Sequence, residues 1–168
     1  INLTTESLPT ALELLHHLPT LLLLRVVPPT ITLDDLDVLK RESHCRAHVS
    51  WVGPLRPEPL FSQINQIFRD EGFIIDTRPL KLHMTLMNST YRRPRLKCPQ
   101  PFEYDAILHQ AGVLEYFGVQ ESEYADLPLA VMMGSYEAPR VHLCNTGSWD
   151  KDGAYISCGS APSSKESV

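Results

Sequence analysis

The stretch Lys81–Thr90, KLHMTLMNST, alternates Leu82, Met84 and Leu86 with His83, Thr85 and Met87. Alternation with period two predicts a β-strand, because successive side chains of a strand point to opposite faces. Leu82, Met84 and Leu86 then belong on a core. His83 and Thr85 stand side by side on the other face, about 6–7 Å apart along the chain. An imidazole and a hydroxyl so placed can address one phosphate: the imidazole moves a proton, and the hydroxyl hydrogen-bonds a non-bridging oxygen. A strand with an ordinary polar outer face would look the same over three residues, so the surrounding sequence has to decide.

The chain has 168 residues, enough for one domain with a sizeable core. Fourteen prolines argue against long uninterrupted elements. Fifteen Lys and Arg against twenty Asp and Glu give a net charge of −5, which is the wrong sign for a broad polyanion-binding surface. The charge is segregated, however. Arg78, Lys81, Arg92, Arg93, Arg95 and Lys97 fall in a twenty-residue run with no acidic residue, leaving nine basic and twenty acidic residues elsewhere. A positive island around His83 fits a local phosphate site, with a solvated basic loop as the simpler reading. Cys45, Cys98, Cys144 and Cys158 show neither C-x-x-C nor zinc spacing to histidine. No metal site and no cofactor are expected, and reduced thiols in a nuclear or cytoplasmic protein fit best. Leu21–Leu24 is apolar but too short for a signal peptide or a membrane span.

Taken in order, Ser7 and Pro9 open a helix whose Leu8, Ala11, Leu12, Leu15 and Leu18 recur at helical spacing up to Pro19. Leu21–Val27 is expected as a buried strand, Thr30–Leu33 as a short strand, and Asp34, Asp35 and Asp37 as an acidic turn. CRAHVSWV, Cys45–Val52, alternates as a strand. A second helix carries Leu60, Ile64, Ile67 and Phe68 on its apolar face and closes at Gly72. Phe73–Ile75 is expected as an edge strand before the His83 strand. Tyr91–Pro101 is a basic loop. Tyr104–Leu114 is a short helix with Ile107, Leu108 and Ala111 inward, and Gln120–Asp126 an acidic surface insertion. Val141–Cys144 and Ala154–Ser157 form a hairpin. Residues 160–168 hold little that is apolar and are expected as a disordered tail after a domain spanning 1–159. The order of elements is α+β.

Phosphodiester chemistry needs a base for the nucleophile, an acid for the leaving oxygen and donors around the phosphate. One histidine fills one proton-transfer role at a time. His48-Val49-Ser50 and His142-Leu143-Cys144 are the two candidates for a partner, and both read more simply as packing or surface histidines. His16 and His17 near a helix end, with His44 and His109, read as surface residues.

The run RPLKLHMTLMNSTYRR, Arg78–Arg93, resembles the second histidine motif of the activating signal cointegrator 1 complex subunit 1 family. That family belongs to the two-histidine phosphoesterases, together with 2′-5′ RNA ligase-like proteins and the A-kinase anchor protein 7 domain. The likeness continues in FEYDAILHQAG and in RVHLCNTGSWDKDGAYISCGS. INLTTESLPTALELLHHL is similar to the helix that follows the family's first His-x-Thr strand. The resemblance implies two lobes of antiparallel sheet, each placing one His-x-Thr on a central groove. It carries His83 and Thr85 over as half a site, while His142 and His48 fall on other family positions. It places the first His-x-Thr just before Ile1, so the domain reads as N-terminally incomplete or as having lost half its site. Longer family members carry an RNA-binding KH domain further upstream.

Two function classes follow as expectations. The first is a module that binds RNA or a nucleotide phosphate, within a nuclear coactivator, helicase or repair complex and away from membranes. The second is a 2′,3′-cyclic or 2′-5′ phosphodiesterase using His83 as acid or base, Thr85 as phosphate donor and an upstream His-x-Thr. Lys81, Arg92 and Arg93 are the candidate phosphate-binding cations in either class. A plain structural scaffold would bind no phosphate.

Overall fold

The computed structural model describes residues 3–22, 25–94, 97–120 and 126–165. In chain order the elements are α1 (Leu8–Leu21), β1 (Thr30–Thr32), β2 (Asp35–Arg41), β3 (Arg46–Gly53), α2 (Pro59–Asp70), β4 (Met84–Asn88), a 3-10 turn (Ser89–Tyr91), β5 (Phe102–Glu103), α3 (Tyr104–Leu108), α4 (Val113–Tyr116), β6 (Leu129–Ala130), β7 (Ser135–Glu137), β8 (Arg140–Trp149) and β9 (Tyr155–Pro162). This is an α+β fold whose main ladders are antiparallel. The chain forms two compact units. One comprises Ile1–Thr30, Pro57–Leu80 and Tyr136–Val168, the other Ile31–Arg56 and Lys81–Ser135. No helix among the described residues is long and apolar enough to cross a membrane.

The first unit is built on α1 and the β8–β9 hairpin. Ala11, Leu15 and Leu18 recur at helical spacing and are buried together with Phe68 of α2 and Ala161 of β9. The helix continues two residues past Pro19, whose missing N–H removes a single bond. Leu22 N–H still donates to Leu18 C=O at 3.0 Å. Leu21 therefore ends a helix, and Val26 and Val27 are exposed loop residues. The expected strand over Leu21–Val27 is absent among the described residues, with Leu23 and Leu24 lying outside them. Phe73–Ile75 is not a strand either. Phe73 and Ile74 turn their N–H groups back to Phe68 C=O, closing α2 around Gly72 (φ 76°), and Ile75 is left exposed.

The expected tail also begins too early at residue 160. β9 runs to Pro162, with Arg140 opposite Pro162, Val141 opposite Ala161 and Leu143 opposite Gly159. Small residues are needed here because α1 lies close: a Cβ on Gly159 would stand 2.6 Å from Leu12 Cδ2. Composition poor in large apolar residues is thus the mark of a strand under a helix, not of a solvated tail. Ala161 and Ser163 are buried. Ser163 N–H donates to Pro139 C=O, and its hydroxyl donates to Ala138 C=O. Residues 166–168 lie outside the described residues.

The second unit holds one sheet of strand order β4-β3-β2-β6, with β5 also paired to β3. The acidic run Asp34–Asp37 is not a turn beyond Asp34. Leu36 and Val38 alternate with Asp35 and Asp37 in β2 and are buried at 2% and 7% exposure, so burial of the apolar alternates outweighs the charge between them. The single helix expected over Tyr104–Leu114 is two. Gly112 (φ 79°) breaks it, and Tyr104, Leu108 and Leu114 are the buried positions, while Ala111 is exposed. These residues pack on the core face of the sheet with Leu36, Val38, Val52, Val119, Leu127 and Leu129. Residues 121–125 of the expected acidic insertion lie outside the described residues.

Removing residues 160–168 deletes the end of β9 and uncovers Ala11 and Leu15. The truncated protein should melt lower by more than about 4 °C, the scale of about 1 kcal/mol in a small domain. A thermal melt unchanged by the truncation would show that this segment does not support α1.

Candidate functional site

The strand that carries His83 is shorter than its sequence pattern. β4 begins at Met84, and Asn88 ends it by accepting the Thr90 N–H on Oδ1, which starts the 3-10 turn. The register with β3 slips inside the strand. Thr85 faces Trp51 and Met84 faces Val52, while Met87 faces Ser50 and Asn88 faces Val49. Leu86 is the extra residue of a β-bulge, which brings Leu86 and Met87 to the same side. Both line a cavity of about 320 Å³ with Leu36, Val38, Tyr104 and Phe117 on the core face. Met87, expected beside His83, therefore faces the core, while Thr85 keeps its place on the opposite face with Trp51 and, across β2, Asp37.

His83 itself stands one residue outside the ladder. Its position is fixed by contacts other than sheet hydrogen bonds. The ring meets Trp51 edge-on, with centroids 6.2 Å apart and planes at 77°. Nδ1 lies 2.9 Å from Lys81 C=O. A carbonyl only accepts, so Nδ1 carries the proton and Nε2 holds the free lone pair in the neutral ring. Nε2 has no hydrogen-bond partner among the described residues, and His83 and Thr85 are both exposed. Gly53 permits this arrangement. A Cβ there would collide with the Leu82 carbonyl oxygen, so any other residue would push the segment bearing His83 off β3.

The charges around this face differ from the sequence picture. Lys81 Nζ lies 3.7 Å from Asp37 Oδ2 and 4.1 Å from the Trp51 ring centroid. Arg78 is held by Asp76, Nη2 to Oδ2 2.5 Å, and the hydrogen bonds from Arg78 draw the Asp76 carboxyl down to about 2. Two cations of the basic island are thus already paired. Arg92 and Arg93 follow the 3-10 turn at the far end of β4, about 16 Å of strand from His83 at 3.3 Å per residue. Both are exposed, and neither forms an ion pair with a described residue. His83, Thr85 and Lys81 are brought to one face, and Arg92 and Arg93 are not brought to His83. Arg95 lies outside the described residues.

Asp35 and Asp37 join the same face at one strand's remove, opposite Gly53 and Trp51. Burial pushes the Asp35 carboxyl up, neighbouring Asp37 and Asp34 add to the shift, and Lys81 opposes it. Trp51, Asp35 and Asp37 were not legible as site residues. The signal available was register: CRAHVSWV pairs with the His83 strand, so its Trp had to face either His83 and Thr85 or the core.

The two rival histidines differ in how far they are engaged. His48 Nδ1 lies 2.7 Å from Ser89 Oγ and Nε2 2.9 Å from Glu42 Oε1, so both ring nitrogens are committed within the fold. His48 ties the end of β3 to the 3-10 turn after β4. His142, on β8, places Nδ1 3.0 Å from Ser157 Oγ.

The Asp35 shift has a testable sign. An acid whose folded pKa is raised binds its proton more tightly when folded. Its contribution to stability is complete below the unfolded pKa, about 3.9, and is lost as pH rises through the folded value. At pH 7 the ionised group is a net cost, and Asp35→Asn removes it. The variant should melt above the native protein at pH 7, and its advantage should shrink towards pH 3. A variant that melts lower at pH 7 would contradict the burial and charge crowding assigned to Asp35.

No curated protein matches the chain. A family model described as AKAP7 2'5' RNA ligase-like domain matches residues 3–162, which includes His83 and Thr85 and reaches the last residue of β9. The chain belongs to the AKAP7 2'5' RNA ligase-like domain family, within the two-histidine phosphoesterase superfamily.

Proposed function

We propose that this domain binds the phosphate of an RNA end or of a nucleotide, with His83 and Thr85 as the contacting pair. The observation that carries the reading is the state of His83: exposed, with Nδ1–H donated to Lys81 C=O and Nε2 left unengaged. Nε2 can accept a proton from an attacking hydroxyl or, once protonated, donate to a phosphate oxygen. The Thr85 hydroxyl, on the same face, can donate to a non-bridging oxygen. Family membership favours a phosphodiester as the ligand over an isolated anion.

Turnover needs a second proton-transfer group opposite the first. His48 is engaged at both nitrogens, and His142, bonded to Ser157 at Nδ1 alone, is followed at the motif position by Cys144, a weak hydrogen-bond donor in place of Thr or Ser. For the residues of this chain the reading is therefore binding without turnover, and a second His-x-Thr in an adjoining segment would convert it into a 2′,3′-cyclic or 2′-5′ phosphodiesterase. The likeness of Arg78–Arg93 to the second histidine motif of the activating signal cointegrator 1 complex subunit 1 family supports a setting in a nuclear transcription-coactivator or repair complex. Arg92 and Arg93, exposed beyond β4, supply charge that attracts the rest of an RNA chain.

Calorimetric titration with an RNA trinucleotide ending in a 2′,3′-cyclic phosphate tests the reading. His83→Gln and Thr85→Val should each weaken binding by about tenfold or more, the scale of a lost charge-assisted hydrogen bond. Stability should change by no more than about 0.5 kcal/mol, as for exposed positions. Reversing Arg92 and Arg93 to Glu should weaken binding more at low salt than at high. A folded His83→Gln protein with native affinity would contradict the assignment.

A further inference from the structure

We propose that Asp37, Lys81 and Trp51 form a clamp that positions His83, and that Lys81 belongs to this clamp instead of contacting the phosphate. The inference rests on His83 being the phosphate-facing histidine, and it changes the role of the cation nearest to it.

The last rung between β3 and β4 is Val52 opposite Met84. Lys81, Leu82 and His83 therefore lie beyond the ladder, where strand hydrogen bonds no longer set the backbone. Each of the three is held by a different contact. The Lys81 ammonium sits 3.7 Å from Asp37 Oδ2 and 4.1 Å from the Trp51 ring centroid. The Leu82 carbonyl lies against Gly53, where only a glycine leaves room. The His83 ring rests edge-on against Trp51. Trp51 is 2% exposed, so its ring is held by its surroundings. Lys81 thus connects two functions through one residue. Its side chain is anchored to β2 and β3, and its carbonyl receives the His83 Nδ1–H at 2.9 Å. Fixing the side chain fixes the carbonyl, and the carbonyl selects the tautomer that turns Nε2 outward.

A lysine so engaged is a poor phosphate ligand, because the phosphate would have to displace both a carboxylate and an aromatic face. Asp37 also lies 3.8 Å from Arg41 Nη2, so its charge is drawn on from two sides.

The two roles for Lys81 give opposite signs in one variant. Asp37→Asn leaves the lysine charge in place and releases it. If Lys81 contacts phosphate, the freed cation tightens binding. If Lys81 serves the clamp, binding weakens and the His83 tautomer is no longer fixed. The experiment is a long-range proton–nitrogen correlation spectrum of the 15N-labelled full chain, with His83→Gln used to assign the His83 ring, alongside titration with the same cyclic-phosphate trinucleotide. The native protein should show Nδ1 protonated and Nε2 bare. Asp37→Asn and Lys81→Ala should both shift His83 towards a mixture of the two tautomers and weaken binding about 2- to 10-fold, as for a loosened hydrogen bond. Lys81→Arg, which keeps a cation over Trp51 and beside Asp37, should restore the single tautomer. Tighter binding by Asp37→Asn, or an unchanged tautomer in Lys81→Ala, would overturn the clamp while leaving His83 as a phosphate contact. Native affinity in His83→Gln would instead remove the phosphate reading and leave the tautomer measurement standing as a test of the clamp alone.

Discussion

The close approach of Gly53 to the Leu82 carbonyl is the constraint on which the candidate site depends. It lets the chain entering β4 lie against the end of β3 at a point where the ladder has already stopped. From there Trp51 can reach under both Lys81 and His83, and Lys81 can reach Asp37 on the next strand. One methyl group at residue 53 would separate these partners. The bulge at Leu86 completes the arrangement from the other side. It turns Leu86 and Met87 to the core face without disturbing Thr85, so a strand of five residues lines the core and still keeps Thr85 on the opposite face.

Charge in this protein is organised by pairing in space and not by runs in sequence. Twenty residues without an acid contain Arg78 and Lys81, but Asp76 lies just before the run and Asp37 lies across the sheet. The cations left without an ion pair to a described residue include Arg92 and Arg93, at the far end of β4. The face that carries His83 therefore has no net positive potential, since Asp35 and Asp37 stand beside Lys81, and the phosphate binding proposed above would draw on directed donors. Long-range attraction would come from the arginines beyond the turn.

The α+β class, both major helices, β1, β3 and the β8–β9 hairpin were legible because their apolar residues recur with a clear period. The errors have physical causes. Asp35 and Asp37 masked the alternation of Leu36 and Val38 that makes β2 a strand. Pro19 was taken as the end of α1, although one absent hydrogen bond does not stop a helix already buried on Ala11, Leu15 and Leu18. Ser160, Ala161 and Ser163 read as tail because small residues resemble a solvated segment until the helix above them is known. The spacing of His83 and Thr85 places them on one face, and the sequence around them made them the candidate pair. Trp51, Asp37 and Gly53 were not legible, because their importance lies in register and contact across strands, which a single sequence does not display.

His48 on β3 and His83 just before β4 have opposite environments. His48 spends both nitrogens on Ser89 and Glu42, whereas His83 spends one on its own backbone and leaves the other outward. That difference is what makes His83, and not His48, the phosphate contact proposed above. The most direct measurement follows the ring resonances of both histidines while a 2′,3′-cyclic-phosphate RNA trinucleotide is added to the native protein. The His83 ring signals should move in a saturating manner while those of His48 stay in place. Saturable movement confined to His48, or none at His83 under conditions where binding is seen by calorimetry, would contradict it.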